Sequence, residues 1–119
     1  MRVLNIAALI SIFSLSNGHA EDLGEFKKDV EIIASRMMAE ASQHARCFAL
    51  ASVSRDTLIA KLHHVHGTEV LEIQYFKEIA GEEMDQLMAK KPPDTELEVY
   101  AYERYNANCI HMHLGRPKK

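Results

Sequence analysis

Histidine is the residue type whose placement in this chain most suggests chemistry. Seven are present, and five of them fall in two short runs, His63-His64-Val65-His66 and Cys109-Ile110-His111-Met112-His113. Imidazoles bind zinc, copper and nickel, and a thioether such as that of Met112 suits Cu(I). A metal site needs three or four ligands converging at roughly 2.0–2.3 Å. His63 and His66, at i and i+3, can share one helix face, whereas His111 and His113, two apart, diverge if helical. These four are the candidate metal ligands. The competing reading is that histidines near helix C-termini complement the negative end of the helix dipole. With no HExxH, EF-hand or CxxC motif in the sequence, that reading outweighs a metal site, and no metal is assigned.

Other chemistries have less support. Covalent haem attachment needs CxxCH, which is missing. Met37 or Met38 with His111 or His113 could in principle supply axial ligands in a helical bundle, but methionine at helical spacing more often fills a core. No cofactor is expected. There is no GxSxG. Glutamate pairs at helical spacing, such as Glu78 and Glu82, read as a solvated face. These absences favour a non-catalytic protein and name no catalytic residue. A group better suited to recognition is Tyr100, Tyr102, Arg104 and Tyr105. Tyrosine and arginine are enriched at interface hot spots, and three tyrosines on one helix exceed what a single stripe can bury. The alternative is that the rings are half buried with their hydroxyls at the surface.

The elements that must position these residues begin after a distinct N-terminal stretch. Arg2 precedes an apolar run from Val3 to Leu15, and Gly18-His19-Ala20 supplies small residues where a signal peptidase reads. The run is too short to span a bilayer. Residues 1–20 are therefore expected to be a signal peptide and 21–119 a single mature domain, periplasmic in a bacterium and otherwise secreted, with no membrane span. The chain has 119 residues, with 14 basic and 17 acidic side chains and a net charge of −3. Loss of Arg2 would make that −4. This mild acidity, with interspersed signs, argues against nucleic-acid binding. An even pair of cysteines in a small exported chain predicts one intramolecular disulfide, Cys47–Cys109.

Four amphipathic segments follow. Phe26, Val30, Ile33, Met37, Ala41, His44 and Phe48 recur at three-and-four spacing and predict a helix from Leu23 to Ala51. Ser54 is the expected N-cap of a second helix, Arg55 to His66, with Gly67 as its left-handed stop. Thr68 is the expected cap of a third, Glu69 to Lys90, which runs through Gly81 and stops at Pro92-Pro93. Thr95 and Glu98 match a capping box for a fourth, whose inner face carries Leu97, Ala101, Tyr105, Cys109 and Met112. The fold class expected is all-α, a small irregular or orthogonal four-helix domain. A regular up-down bundle puts the ends of the first and fourth helices far apart, yet a disulfide needs Cα atoms within about 7 Å. Irregular packing, an earlier end to the first helix, or no bridge would each relieve that tension.

An exported helical chain with each cysteine in a helical context, as in Arg46-Cys47-Phe48-Ala49-Leu50-Ala51 and Asn108-Cys109-Ile110, resembles two groups. They are the immunity proteins that neutralise type VI secretion amidase toxins and the small periplasmic chaperones that carry one disulfide. The resemblance implies a partner that is another protein and carries over no site residues. The function expected is a non-catalytic exported binding protein of inhibitor, immunity or chaperone type. The alternatives are a small metal- or ligand-binding protein using the histidines, and an enzyme of unknown class.

Overall fold

A long helix sets the frame. The computed structural model describes residues 20–112 and 114, with side chains from Leu23 onward. The expected signal peptide, but for position 20, and His113 lie outside the described residues. Helix α1 spans Ala20–Val53, longer than the spacing predicts. No proline or glycine interrupts it beyond Gly24. It stops where Arg55 takes a left-handed backbone, φ 66°. The Arg55 N–H then donates to the Ser52 carbonyl (3.1 Å) and the Asp56 N–H to that of Ala51 (2.9 Å). This is a Schellman ending with arginine where glycine is usual.

Helix α2 (Thr57–Thr68) is capped by Asp56, whose Oδ1 accepts from the Ile59 N–H at 3.2 Å. Ser54 is not the cap, because its hydroxyl donates back to the Ala51 carbonyl at 3.1 Å. Gly67 lies inside α2 rather than ending it. Its lack of a side chain leaves room for the Phe76 ring, which a Cβ there would overlap. Thr68 caps nothing, since its hydroxyl donates to the His64 carbonyl at 2.6 Å. Helix α3 (Ile73–Lys90) starts later than expected and continues unbroken through Gly81. Helix α4 (Leu97–Asn108) has no side-chain cap bond. In place of the expected capping box, Lys91 Nζ donates to the Thr95 carbonyl at 2.8 Å, and Glu98 pairs with Arg55 at 2.9 Å.

The domain is all-α with four helices, and no strand occurs among the described residues. Its irregularity comes from unequal lengths. Every α1 residue in the three buried clusters lies at Ala41 or beyond, so the shorter helices pack round the C-terminal half of α1. Ala51 meets Ile59 and Ala60, while His44 meets His63, so α2 runs antiparallel to α1. Ala41 and Ala45 pack with Phe76, and Leu50 with Leu87, so α3 runs along it. Helix α4 returns antiparallel, from Glu98 beside Arg55 to Cys109 beside Cys47. It is short enough for its end to stay beside the last third of α1. There Cys47 and Cys109 form a disulfide with Cα atoms 5.9 Å apart. The bridge thus forms although α1 ends later than expected, because Cys47 lies well inside that helix.

Candidate functional site

Where α1, α2 and α4 meet, three polar rings form one chain. His44 stands on the otherwise apolar face of α1 and is 3% exposed, and His63 on α2 is fully buried. Their Nδ1 atoms are 2.8 Å apart, and His63 Nε2 lies 2.7 Å from the Tyr105 hydroxyl of α4. Two imidazoles bonded nitrogen to nitrogen need one donor and one acceptor, so at most one can carry a charge without breaking the bond. Burial, then the neighbouring His44 and His66, push His63 down to about 4. His44 is also lowered, by burial and then His66, against an upward pull from Glu40 and Glu69.

His66 stacks on His44 with ring centroids 5.3 Å apart and donates from Nε2 to the Leu114 carbonyl at 2.7 Å. The carboxylates nearest the group are Glu40, 3.9 Å from His44 Nε2, and Glu69, 3.7 Å from His66 Nδ1. A shallow cavity of about 190 Å³ opens over them, lined by Met37, Glu40, His44, His66 and Glu69. His64 belongs elsewhere, tilted against Phe48 and edge-on to Phe76.

The candidate ligands His63 and His66 therefore share a cluster, but with His44, which sequence reasoning placed only in the core stripe. His111 is exposed away from them. Among the described residues no group of three or more His, Cys, Asp or Glu side chains is arranged to hold a metal ion. The signal that could have found His44 was its position, an imidazole on a stripe otherwise made of Phe, Val, Ile, Met and Ala.

On the other side of Tyr105 lies the larger cavity, about 530 Å³, between the α1–α2 turn and the end of α4. Asp56, Ile59, Tyr102, Tyr105, Ile110 and Met112 are among its walls. Tyr102 and Ile110 are 59% and 60% exposed. The candidate recognition residues divide here. Tyr102 and Tyr105 line this cavity, whereas Arg104 turns to α3. Its Nη2 donates to the buried Glu83 at 3.3 Å, and its guanidinium lies 5.8 Å from the Tyr100 ring centre. Arg104 Nε is buried without a hydrogen-bond partner.

The chain matches no family model, no curated protein and no solved structure. What stands is the architecture itself: a disulfide-linked all-α domain of four helices, with a histidine–tyrosine chain ending at a cavity. No helix among the described residues is long and apolar enough to cross a membrane.

Proposed function

We propose that this protein is a non-catalytic binding protein, exported and acting on another protein as an inhibitor, immunity-type factor or chaperone. The observation that carries the reading is the cavity at the end of α4 with Tyr102 and Ile110 exposed on it. Its volume lies in the range that holds a buried side-chain anchor or small ligand, and aromatic residues around such a cavity are typical of interface hot spots. The Cys47–Cys109 bridge beside it supports a function in an oxidising compartment.

Photo-crosslinking tests this. A benzoylphenylalanine placed at Tyr102 or Ile110 should capture one and the same protein from the exported fraction, and a probe at the exposed Lys77 on α3 should not. Equal capture at all three positions, or none at the first two, sinks the reading.

A further inference from the structure

The chain His44–His63–Tyr105 joins two openings of the molecule. Its outer end, His44, lines the small cavity with Glu40, His66 and Glu69, and its inner end, Tyr105, is a wall of the large one. Each ring has few choices. A neutral imidazole carries one N–H, and a phenol hydroxyl can donate or accept. Both His63 nitrogens are engaged, so the donor on one side fixes the acceptor on the other. Glu40 favours the proton of neutral His44 on the nitrogen facing it, Nε2. His44 Nδ1 must then accept from His63 Nδ1–H, and His63 Nε2 must accept from the Tyr105 hydroxyl.

When His44 becomes an imidazolium its Nδ1 carries a proton and can only donate. His63 must accept at Nδ1 and donate from Nε2, so Tyr105 becomes the acceptor. We infer that His44, His63 and Tyr105 form a proton relay whose polarity reverses when His44 is charged, turning the Tyr105 hydroxyl hydrogen away from His63. The step balances without any oxidation. A proton from solvent is taken up at the Tyr105 oxygen, the Tyr105 proton passes to His63 Nε2, and the His63 Nδ1 proton passes to His44 Nδ1. The net change is one bound proton, with its charge on His44 beside Glu40.

The groups facing this pair are few. Helix α1 presents Glu40, and α2 with its following turn presents His66 and Glu69. Helix α4 presents Tyr105, and α3 approaches with the Phe76 ring, which with His44 borders Gly67. Acidification to the point where His44 charges therefore turns the Tyr105 hydroxyl, carried by a wall residue of the large cavity, from donor to acceptor toward His63. A second proton, on His63, would break the Nδ1–Nδ1 bond. The consequence for binding rests on the cavity being the docking face, whereas the relay itself does not.

Long-range ¹H–¹⁵N spectra of the full chain, disulfide intact, report imidazole charge and tautomer from pH 8 to 4. As His44 charges, His63 is expected to stay neutral and move from the Nδ1–H to the Nε2–H form. In Tyr105→Phe the neutral state loses the hydroxyl that donates to His63 Nε2 and the charged state loses the one that accepts from it, so the His63 Nε2 resonance should move from its wild-type position in both states. Tyr75→Phe, on the exposed side of α3, should leave it unmoved. A His63 tautomer that does not change as His44 charges overturns the relay, and so does an unmoved His63 Nε2 resonance in a folded Tyr105→Phe. Should that variant not fold, the wild-type tautomer reading decides alone. Neither readout involves a partner, so failure of the crosslinking and failure of the relay are told apart.

Discussion

A hydrogen bond between two imidazoles in a core has a pH dependence that follows from its geometry. His63 is fully buried and sits near 4 in the folded chain, against 6.5 when unfolded. Above pH 6.5 both states hold it neutral, and the full stability is present. As pH falls below 6.5 the unfolded chain binds a proton that the folded one refuses, so stability declines until about pH 4, where the folded form binds it too. The loss from this group is on the order of 3 kcal/mol, and His44, shifted in the same direction, adds to it. His63→Gln should be less stable than wild type at pH 7, by about 1–3 kcal/mol, because the packing and the bond to His44 are disturbed. It should then lose clearly less between pH 6.5 and 4. Urea titrations at several pH values measure both, and a variant with an undiminished acid slope would show that His63 is not the source. None of this was visible from spacing alone. The run His63-His64-Val65-His66 marked the region, but its partner His44 lay on α1, nineteen residues away in sequence, where only a packed structure brings the two rings together.

Gly67 reads in sequence as a helix stop and Gly81 as an interior position, and at the scale of the helix the two differ for another reason. Both Gly67 and Gly81 lie inside helices. A Cβ at Gly81 meets nothing within 4 Å, so Gly81→Ala should stabilise α3 by about 0.5–1 kcal/mol through reduced backbone freedom of the unfolded chain. A Cβ at Gly67 overlaps the Phe76 ring, which is itself almost wholly buried. Gly67→Ala should destabilise by roughly 1–3 kcal/mol, as overpacking does, despite the better helix propensity. Thermal unfolding of the two variants should move in opposite directions, and a gain for Gly67→Ala would mean that Phe76 moves aside freely. The periodicity of Phe26 to Phe48 and of Ile73 to Leu87 made the existence and order of the helices legible. Apart from the stop of α3 at Lys90, their ends were not. Ser54, Thr68 and Thr95 are all good caps by type, yet Asp56 caps α2, and the hydroxyls of Ser54 and Thr68 bond back to carbonyls within the preceding helical turn. Arg55 ends α1 in a conformation that sequence assigns to glycine. Local residue type names the groups able to cap, whereas the tertiary contacts choose among them.

For the whole molecule, the weight of the disulfide depends on how little else holds α4. Within that helix only Ala101 is buried, and Cys109 follows at its end. Leu97, Tyr100 and Tyr105 are only partly buried against the core, and the remaining ties are polar: Tyr105 to His63, Arg104 to Glu83 at 3.3 Å, and Gln43 Nε2 donating to the Asn108 carbonyl at 3.2 Å. An exposed pair such as Arg55–Glu98 adds little. The bridge spans 62 residues, and the chain entropy it removes from the unfolded state amounts to about 4 kcal/mol. That is a large share of the stability of a domain this size. Cys47→Ala with Cys109→Ala should therefore lower the unfolding free energy by about 2–4 kcal/mol. The effect should not be uniform. Helices α1 and α3, with Leu71 of the turn before α3, share the apolar contacts of Ala41, Ala45, Leu71 and Phe76 and do not need α4 to make them. Native-state hydrogen exchange of the double variant should show the α4 amides opening before those of the C-terminal half of α1. Because Tyr105 leaves with α4, His63 should lose its Nε2 partner in the same event, and its proton exchange should quicken with that of the α4 backbone. If instead the α4 amides stay as protected as those of α1, the cavity wall is held by packing rather than by the bridge. Reduction would then be expected to leave the Tyr102–Tyr105 face, and whatever it binds, unchanged.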